Sequence, residues 1–195
     1  DVLRRYMSNS AIKQAFRNAA SAGLHSSAFV MLGLPYETEE DLFATVRLLA
    51  EIKPGRFRWS LFYPFVGTDA YKMALEGGFI NREKLEKLQN FFTESPLQFG
   101  AEQDLLIDKM NAAFPWFVNA ASDLECSAQY RRLVNEILSL SEDEWKEYKL
   151  RVKEMDSEIS RENLRKGYRH YAVKFNRFMG VDSDYFLKEE EDVVQ

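Results

Sequence analysis

Phe29-Val-Met-Leu-Gly-Leu-Pro-Tyr-Glu-Thr38 is an apolar run that ends in a Gly/Pro turn, and Tyr63-Pro-Phe-Val-Gly-Thr68 repeats the pattern one helix further along the chain. The run over residues 27–32 is nearly continuous rather than alternating, which predicts a strand covered on both faces, as in parallel sheets. Two strand-to-helix turns in series predict consecutive βα units of a parallel sheet or barrel. In such folds ligand-binding turns gather at the carboxyl ends of the strands. Function is therefore to be sought at residues 33–38 and 62–68.

Upstream of this stretch, Ser8 caps a predicted helix over residues 9–22, with Ile12, Phe16 and Ala19 on one face and Gly23 as its stop. Downstream, Thr38 and Asp41 resemble a capping box with Asp in place of the usual Glu, and Leu42, Val46 and Leu49 carry helical spacing to about Ile52. Pro54-Gly55 breaks the chain. Phe57, Trp59, Leu61 and Tyr63 then alternate with Arg58, Ser60 and Phe62, a strand whose two faces see different surroundings. Residues 27–62 thus form one βαβ unit, and a short helix over residues 69–75 follows, ended by Gly77-Gly78.

From residue 82 onward no further strand is predicted. Segments 83–93, 102–121, 127–140, 141–156 and 160–179 read as helices. Ser141 with Glu144 forms a capping box, after which Trp145, Tyr148, Val152 and Met155 repeat at heptad spacing. Leu164, Tyr168, Tyr171, Phe175 and Phe178 form a second stripe of the same kind. Residues 188–195, with Glu189-Glu-Glu-Asp192, read as a solvated tail. A sheet of two strands leaves both edges unpaired and is seldom stable alone, so further strands are expected upstream of Asp1. The absence of an initiator Met agrees with a start inside a longer reading frame.

A composition of 46% hydrophobic and 29% charged residues over 195 positions fits one soluble globular domain, or a small one with a helical extension. The longest unbroken apolar run, residues 28–32, is far too short to span a bilayer, and no basic-then-apolar leader opens the chain, so a cytoplasmic protein is expected. A lone Cys126 excludes an internal disulfide framework. With only His25 and His170 beside it, no zinc-type spacing exists. The net charge of -5 weighs against nucleic acid as a partner. The basic stretch with Arg161, Arg165, Lys166, Arg169, Lys174 and Arg177 carries its aromatics on one stripe, which favours core packing over base stacking.

Four motifs carry a family resemblance: Leu3-Arg-Arg-Tyr-Met-Ser8, Ala20-Ser-Ala-Gly-Leu24, residues 29–38, and Pro64-Phe-Val-Gly-Thr68. Their series resembles the second half of radical S-adenosylmethionine iron-sulfur oxidoreductases. The similarity is greatest to the cobalamin-binding subfamily that includes the anaerobic magnesium-protoporphyrin monomethyl ester cyclase. There the motifs read Leu-x-Arg-x-Met-Ser, Ala-Gly-Ile, Met-Ile-Gly-Leu-Pro-x-Glu-Thr and Pro-x-Pro-Gly-Thr, in that order; Val66 replaces the second Pro of the last. The resemblance covers residues 1–80 and beyond them only Gly167-Tyr-Arg-His-Tyr171, similar to an aromatic and basic helix near the family's carboxyl end.

The resemblance implies an α/β fold: the last two βα units of a partial (β/α) TIM-like barrel over residues 1–80, a mainly helical region over 81–187 and an acidic tail over 188–195. It implies S-adenosylmethionine and a 4Fe-4S cluster as cofactors of the full-length protein, with cobalamin left open. The implied activity is reductive cleavage of S-adenosylmethionine to a 5'-deoxyadenosyl radical that takes hydrogen from a small-molecule substrate of unread identity. The family's CxxxCxxC loop has no counterpart here, so this chain alone is expected to be inactive.

By resemblance, the adenine-binding strand ends at Met31-Leu32-Gly33, and Phe62 and Tyr63 of the next strand offer backbone groups to the adenine edge. A flat purine suits an apolar side chain such as Met31 or Phe62, with Gly33 allowing close backbone approach. Read from the pattern alone, Met31 and Phe62 are equally strand core and Gly33 a turn residue. Glu37 precedes the capping Thr38 and favours a structural role at the helix start. If Trp59 and Leu61 pack under helices, Arg58 and Ser60 face the opposite side, where a substrate would lie. Arg4 and Arg5 could meet an anion. His25 and His170 lack a second ligand and read as packing or surface residues; Cys126 reads as inert unless exposed at a helix start. Two further readings stay open: a helical docking or oligomerisation module, which exposed residues on the heptad stripes would favour, and an unrelated α/β ligand-binding domain. Self-association of the chain through its open sheet edges is a separate expectation.

Overall fold

The computed structural model describes residue 2 and residues 6–87 and 94–185. Arg4, Arg5, the end of the helix predicted over 83–93 and the acidic tail lie outside the described residues. The order of elements is α1 (Asn9–Ser21), β1 (Ser27–Leu32), α2 (Glu39–Ile52), β2 (Arg56–Leu61), α3 (Asp69–Glu76), α4 (Arg82–Lys87), α5 (Ala101–Ala121), α6 (Ser127–Ser139), α7 (Glu142–Lys149), α8 (Val152–Arg165), β3 (Tyr171–Val173) and β4 (Met179–Asp182).

The first half forms as its local signals dictate. Ser8 Oγ accepts from the Ala11 amide, and Gly23, with φ +68, ends α1. Thr38 and Asp41 close a reciprocal capping box, Thr38 N–H to Asp41 Oδ2 at 2.9 Å and Asp41 N–H to Thr38 Oγ1 at 3.2 Å. β1 and β2 pair in parallel with Phe29 beside Arg58 and Met31 beside Ser60. The βαβ unit stands as read.

The second half departs from the sequence reading. The predicted helix over 160–179 ends at Arg165, where Gly167 takes φ +70 and the Tyr168 amide returns to the Asn163 carbonyl at 2.9 Å. The chain then forms β3 and β4, so strands do follow residue 82. β4 pairs antiparallel with both β2 and β3, giving an open mixed sheet of order β1-β2-β4-β3. No barrel is shown among the described residues. Gly180 is what lets β4 lie beside β2, because a Cβ there would meet the Phe57 ring at 2.5 Å. The helix predicted over 141–156 is likewise two, α7 and α8, broken around Leu150 and Arg151.

One core joins these parts. Phe57, Trp59 and Leu61 project from one face of β2 and pack with Leu42, Val46 and Leu49 of α2 and with Met110, Phe114 and Phe117 of α5. Helix α5, buried along most of its length, is the hub, and Tyr130 and Ile137 of α6 and Trp145 of α7 close around it. Of the first predicted stripe, Trp145 and Val152 are buried, and Tyr148 and Met155 pack against the same core.

The two outer edges of the sheet differ. On β3, Asn119 Oδ1 accepts from the Tyr171 amide and Asn119 Nδ2 donates to the Tyr171 carbonyl, both at 2.8 Å; Asp156 Oδ2 accepts from the Val173 amide at 3.0 Å. Side chains thus occupy the groups that another strand would seek. No strand among the described residues pairs with the outer edge of β1, and Phe29 beside it is 76% exposed.

Candidate functional site

Because Trp59 and Leu61 pack under α2 and α5, Arg58 and Ser60 lie on the opposite face of the sheet, with Phe29 and Met31 as their neighbours on β1. Toward the carboxyl ends of β1 and β2 this face is covered by a second, smaller cluster. Phe62 is buried there with Ala70 and Ala74 of α3 and with Leu97, and Met31, Leu34, Phe79 and Phe99 pack around them.

Between this face and α3 lies a cleft of about 410 Å³, within the range of small-molecule sites. Met31, Ser60, Phe62 and Tyr63 line it together with Phe65 and Thr68. The turn that the sequence singled out after β2 therefore forms one wall. The Tyr63 and Phe65 rings meet at a tilt of 57°, 5.0 Å between centres. The lining is apolar apart from Ser60, Thr68, Asp69, the Tyr63 hydroxyl and main-chain groups, which suits a flat apolar ring more than a highly charged body.

Two of the six candidate residues lie outside this lining. Gly33 takes φ +78 at the end of β1, and a Cβ there would touch Phe99 and Ile107 at 3.6 and 3.7 Å; its role is to turn the chain. Its amide donates to Glu37 Oε2 at 2.6 Å, and the Leu34 amide does the same at 3.1 Å. Arg58 is half-buried below Ser60 on the same face.

The backbone of Phe62 is already in use. Its amide donates to the Leu32 carbonyl at 2.8 Å, extending the parallel pairing, and its carbonyl accepts from Ser95 Oγ at 2.9 Å. Any ligand edge must use the second lone pair of that carbonyl, or neighbouring groups. Ser95 had no signal in the sequence, since its contact is made across 33 positions of chain.

The β1–α2 turn is held from inside. Glu37 accepts the Gly33 and Leu34 amides while its own carbonyl accepts from Gln103 Nε2 at 2.5 Å, tying the turn to α5. Burial pushes the Glu37 carboxyl up to about 7, against the opposing pull of the two amides. Tyr36 adopts φ +63, unusual for a bulky residue, with its ring edge-on to Phe79 at 4.9 Å. Glu37 is thus structural, but its carboxylate braces the turn upstream of the cap rather than the helix start where the sequence reading put it.

Cys126 lies away from the cleft, buried at the start of α6, where its thiol donates to the Arg169 carbonyl at 3.2 Å and burial pushes it up to about 12. His170 is fully buried between Ser160 Oγ, 2.8 Å from Nε2, and the Tyr168 carbonyl, 2.9 Å from Nδ1. His25 stacks on Tyr185 at 3.9 Å. Of the basic stretch, Lys166 pairs with Glu162, and Arg169 reaches Asp182 at 2.9 Å. Among the described residues no three His, Cys, Asp or Glu side chains gather to hold a metal, and no helix is long and apolar enough to cross a membrane.

Comparison of the chain with protein-family models, with curated proteins and with solved structures finds no match.

Proposed function

We propose that this chain is part of a radical S-adenosylmethionine iron-sulfur oxidoreductase, and that the cleft at the ends of β1 and β2 is its adenine-side pocket. The observation that carries the reading is the convergence of Met31, Phe62 and Tyr63, from two separate motifs, on one apolar cleft at the carboxyl ends of a parallel strand pair. The apolar lining suits the purine. Met31 and Tyr63 are half-buried and could reach a bound ring, whereas Phe62 backs the pocket from the core. Ser60 stands on the substrate side. The outer edge of β1, which has no partner strand among the described residues, is where further parallel strands would join.

The fit to the two implied cofactors differs. S-adenosylmethionine supplies radical chemistry when bound, and this chain's part is to hold and orient its purine. The residues present do not fit a 4Fe-4S cluster, because the one cysteine is buried and bonded to a backbone carbonyl. No step through the cluster is derived for this chain. Burial of Trp145 and Val152 within one core removes the first helical stripe as a docking surface, whereas Tyr168 and Phe175 of the second stripe are exposed and leave that alternative open.

The test is on the full-length gene product, reconstituted anaerobically with iron and sulfide and supplied with S-adenosylmethionine and reductant. The expected result is release of 5'-deoxyadenosine, reduced about tenfold or more by Met31→Asp, which places a charge against the purine. Verified cluster assembly without cleavage, even with candidate substrates, would overturn the reading.

A further inference from the structure

A second cavity of about 490 Å³ lies on the other side of the molecule, between the middle of α5, the start of α8 and the β3–β4 hairpin. Its α5 wall is kinked at Pro115. Proline has no N–H to give to the carbonyl four residues back and its ring crowds that carbonyl, so α5 breaks at Ala113 (φ -128, ψ 29). The Asn111 carbonyl, freed by the break, accepts from Trp59 Nε1 at 3.0 Å. The small side chains of Ala112 and Ala113 then line the opening.

The charges around this cavity are unbalanced. Lys149, Lys153, Lys174 and Arg177 line it, with Asp156 as the carboxylate among the lining residues. Asp156 is committed to the fold, one oxygen accepting from Trp116 Nε1 at 2.9 Å and the other from the Val173 amide at 3.0 Å. Lys149 is matched by Asp108 at 2.6 Å. Among the described residues neither Lys153 nor Arg177 has a carboxylate partner, and Arg177 lies 4.7 Å over the Phe178 ring. In a chain of net charge -5, two cations lining one cavity without an acid partner among the described residues attract an anion of matching charge.

The hairpin adds an aromatic wall. Phe175 takes φ +62 and is 69% exposed at the mouth of the cavity. Its loop is fixed by hydrogen bonds from the Asn176 amide to the Lys174 carbonyl at 2.7 Å, and from the Phe178 amide to Asn176 Oδ1 at 2.9 Å. A bulky residue keeps such a conformation only where its surroundings over-determine it, and ligand clamps are among the places where that occurs.

We propose that this cavity binds a phosphate monoester carried on a flat apolar ring, with Lys153 and Arg177 meeting the dianion and Phe175 covering the ring. Two unmatched cations favour a dianion over a carboxylate. The site is separate from the cleft at β1 and β2 and does not depend on the reading of that cleft.

The test is calorimetric titration of the chain with 1-naphthyl phosphate, alongside 1-naphthol, 1-naphthoate and inorganic phosphate. Saturable binding of one equivalent is expected, weakened about tenfold or more by the pair Lys153→Glu and Arg177→Glu, and severalfold by Phe175→Ala. All three side chains are exposed, so the variants should keep the wild-type circular dichroism and melting temperature. Added salt should weaken binding, and the two half-probes should each bind about tenfold or more weakly. Absence of binding to the folded chain, or binding indifferent to the charge reversal, overturns the proposal. Equal affinity for 1-naphthoate overturns the assignment of a dianion.

Discussion

Glu37, half-buried, and His170, fully buried, are two ionisable groups whose effects on stability run in opposite directions with pH. The folded-state pKa of Glu37 is raised to about 7 by burial. Its contribution is therefore fully present below the usual carboxyl value and is lost as pH rises through about 7. Glu37→Gln keeps an oxygen for the Gly33 and Leu34 amides and has no charge to bury. Urea unfolding at pH 5 and pH 8 should show the wild type losing roughly 2–3 kcal/mol across that window relative to the Gln variant. His170 behaves in reverse: burial lowers its pKa, partly offset by the Tyr168 carbonyl and Asp182, with Lys174 adding to the lowering. Its contribution is present above the ordinary histidine value and lost as pH falls below it. His170→Gln should weaken the fold at neutral pH and flatten the acid limb of a melting-temperature profile between pH 7 and pH 5; an unchanged acid limb would count against this assignment.

The elements show which signals were sufficient. Capping residues wrote their own helix starts, at Ser8, Thr38, Thr68 and Ser141, because each bond closes within one helical turn. The reading of 160–179 as one helix failed because the spacing of Leu164, Tyr168, Tyr171, Phe175 and Phe178 outweighed Gly167, the stop that the structure uses. Tyr171 is buried for a different reason: it stands on a strand, its hydroxyl donating to the Pro54 carbonyl at 2.8 Å. A strand of three residues carries too little pattern to announce itself. β3 depends on Asn119, which is fully buried and bonds the Tyr171 backbone with both ends of its side chain. Asn119→Ala should cost about 2–4 kcal/mol in chemical denaturation, since it leaves buried backbone groups of β3 without partners.

At the scale of the molecule, the asymmetry of the sheet decides how the chain meets others. β3 is sealed by Asn119 and Asp156, whereas the edge of β1 has no strand or side-chain seal of that kind among the described residues. Sedimentation velocity over a concentration series should therefore show self-association of the chain. Phe29→Lys should suppress it without lowering the melting temperature, because Phe29 is largely exposed and an edge lysine discourages pairing. If association persists in that variant, the β1 edge is not the contact.

The sequence by itself determined the βαβ unit, the helix starts and the region of the cleft, because strand alternation, capping and Gly/Pro turns act between residues a few positions apart. Met31, Ser60, Phe62 and Tyr63 meet in the cleft for that reason: β1 and β2 are adjacent and in parallel register. Only the tertiary structure decided the antiparallel strands of the second half, the sealing of β3, the Ser95 contact to Phe62 and the cavity at the Pro115 kink. The docking of β4 on β2 and the sealing of β3 depend on groups brought together across tens of residues by burial around α5, and the Ser95 contact on burial in the smaller cluster, and burial of that kind leaves no periodic trace in the chain.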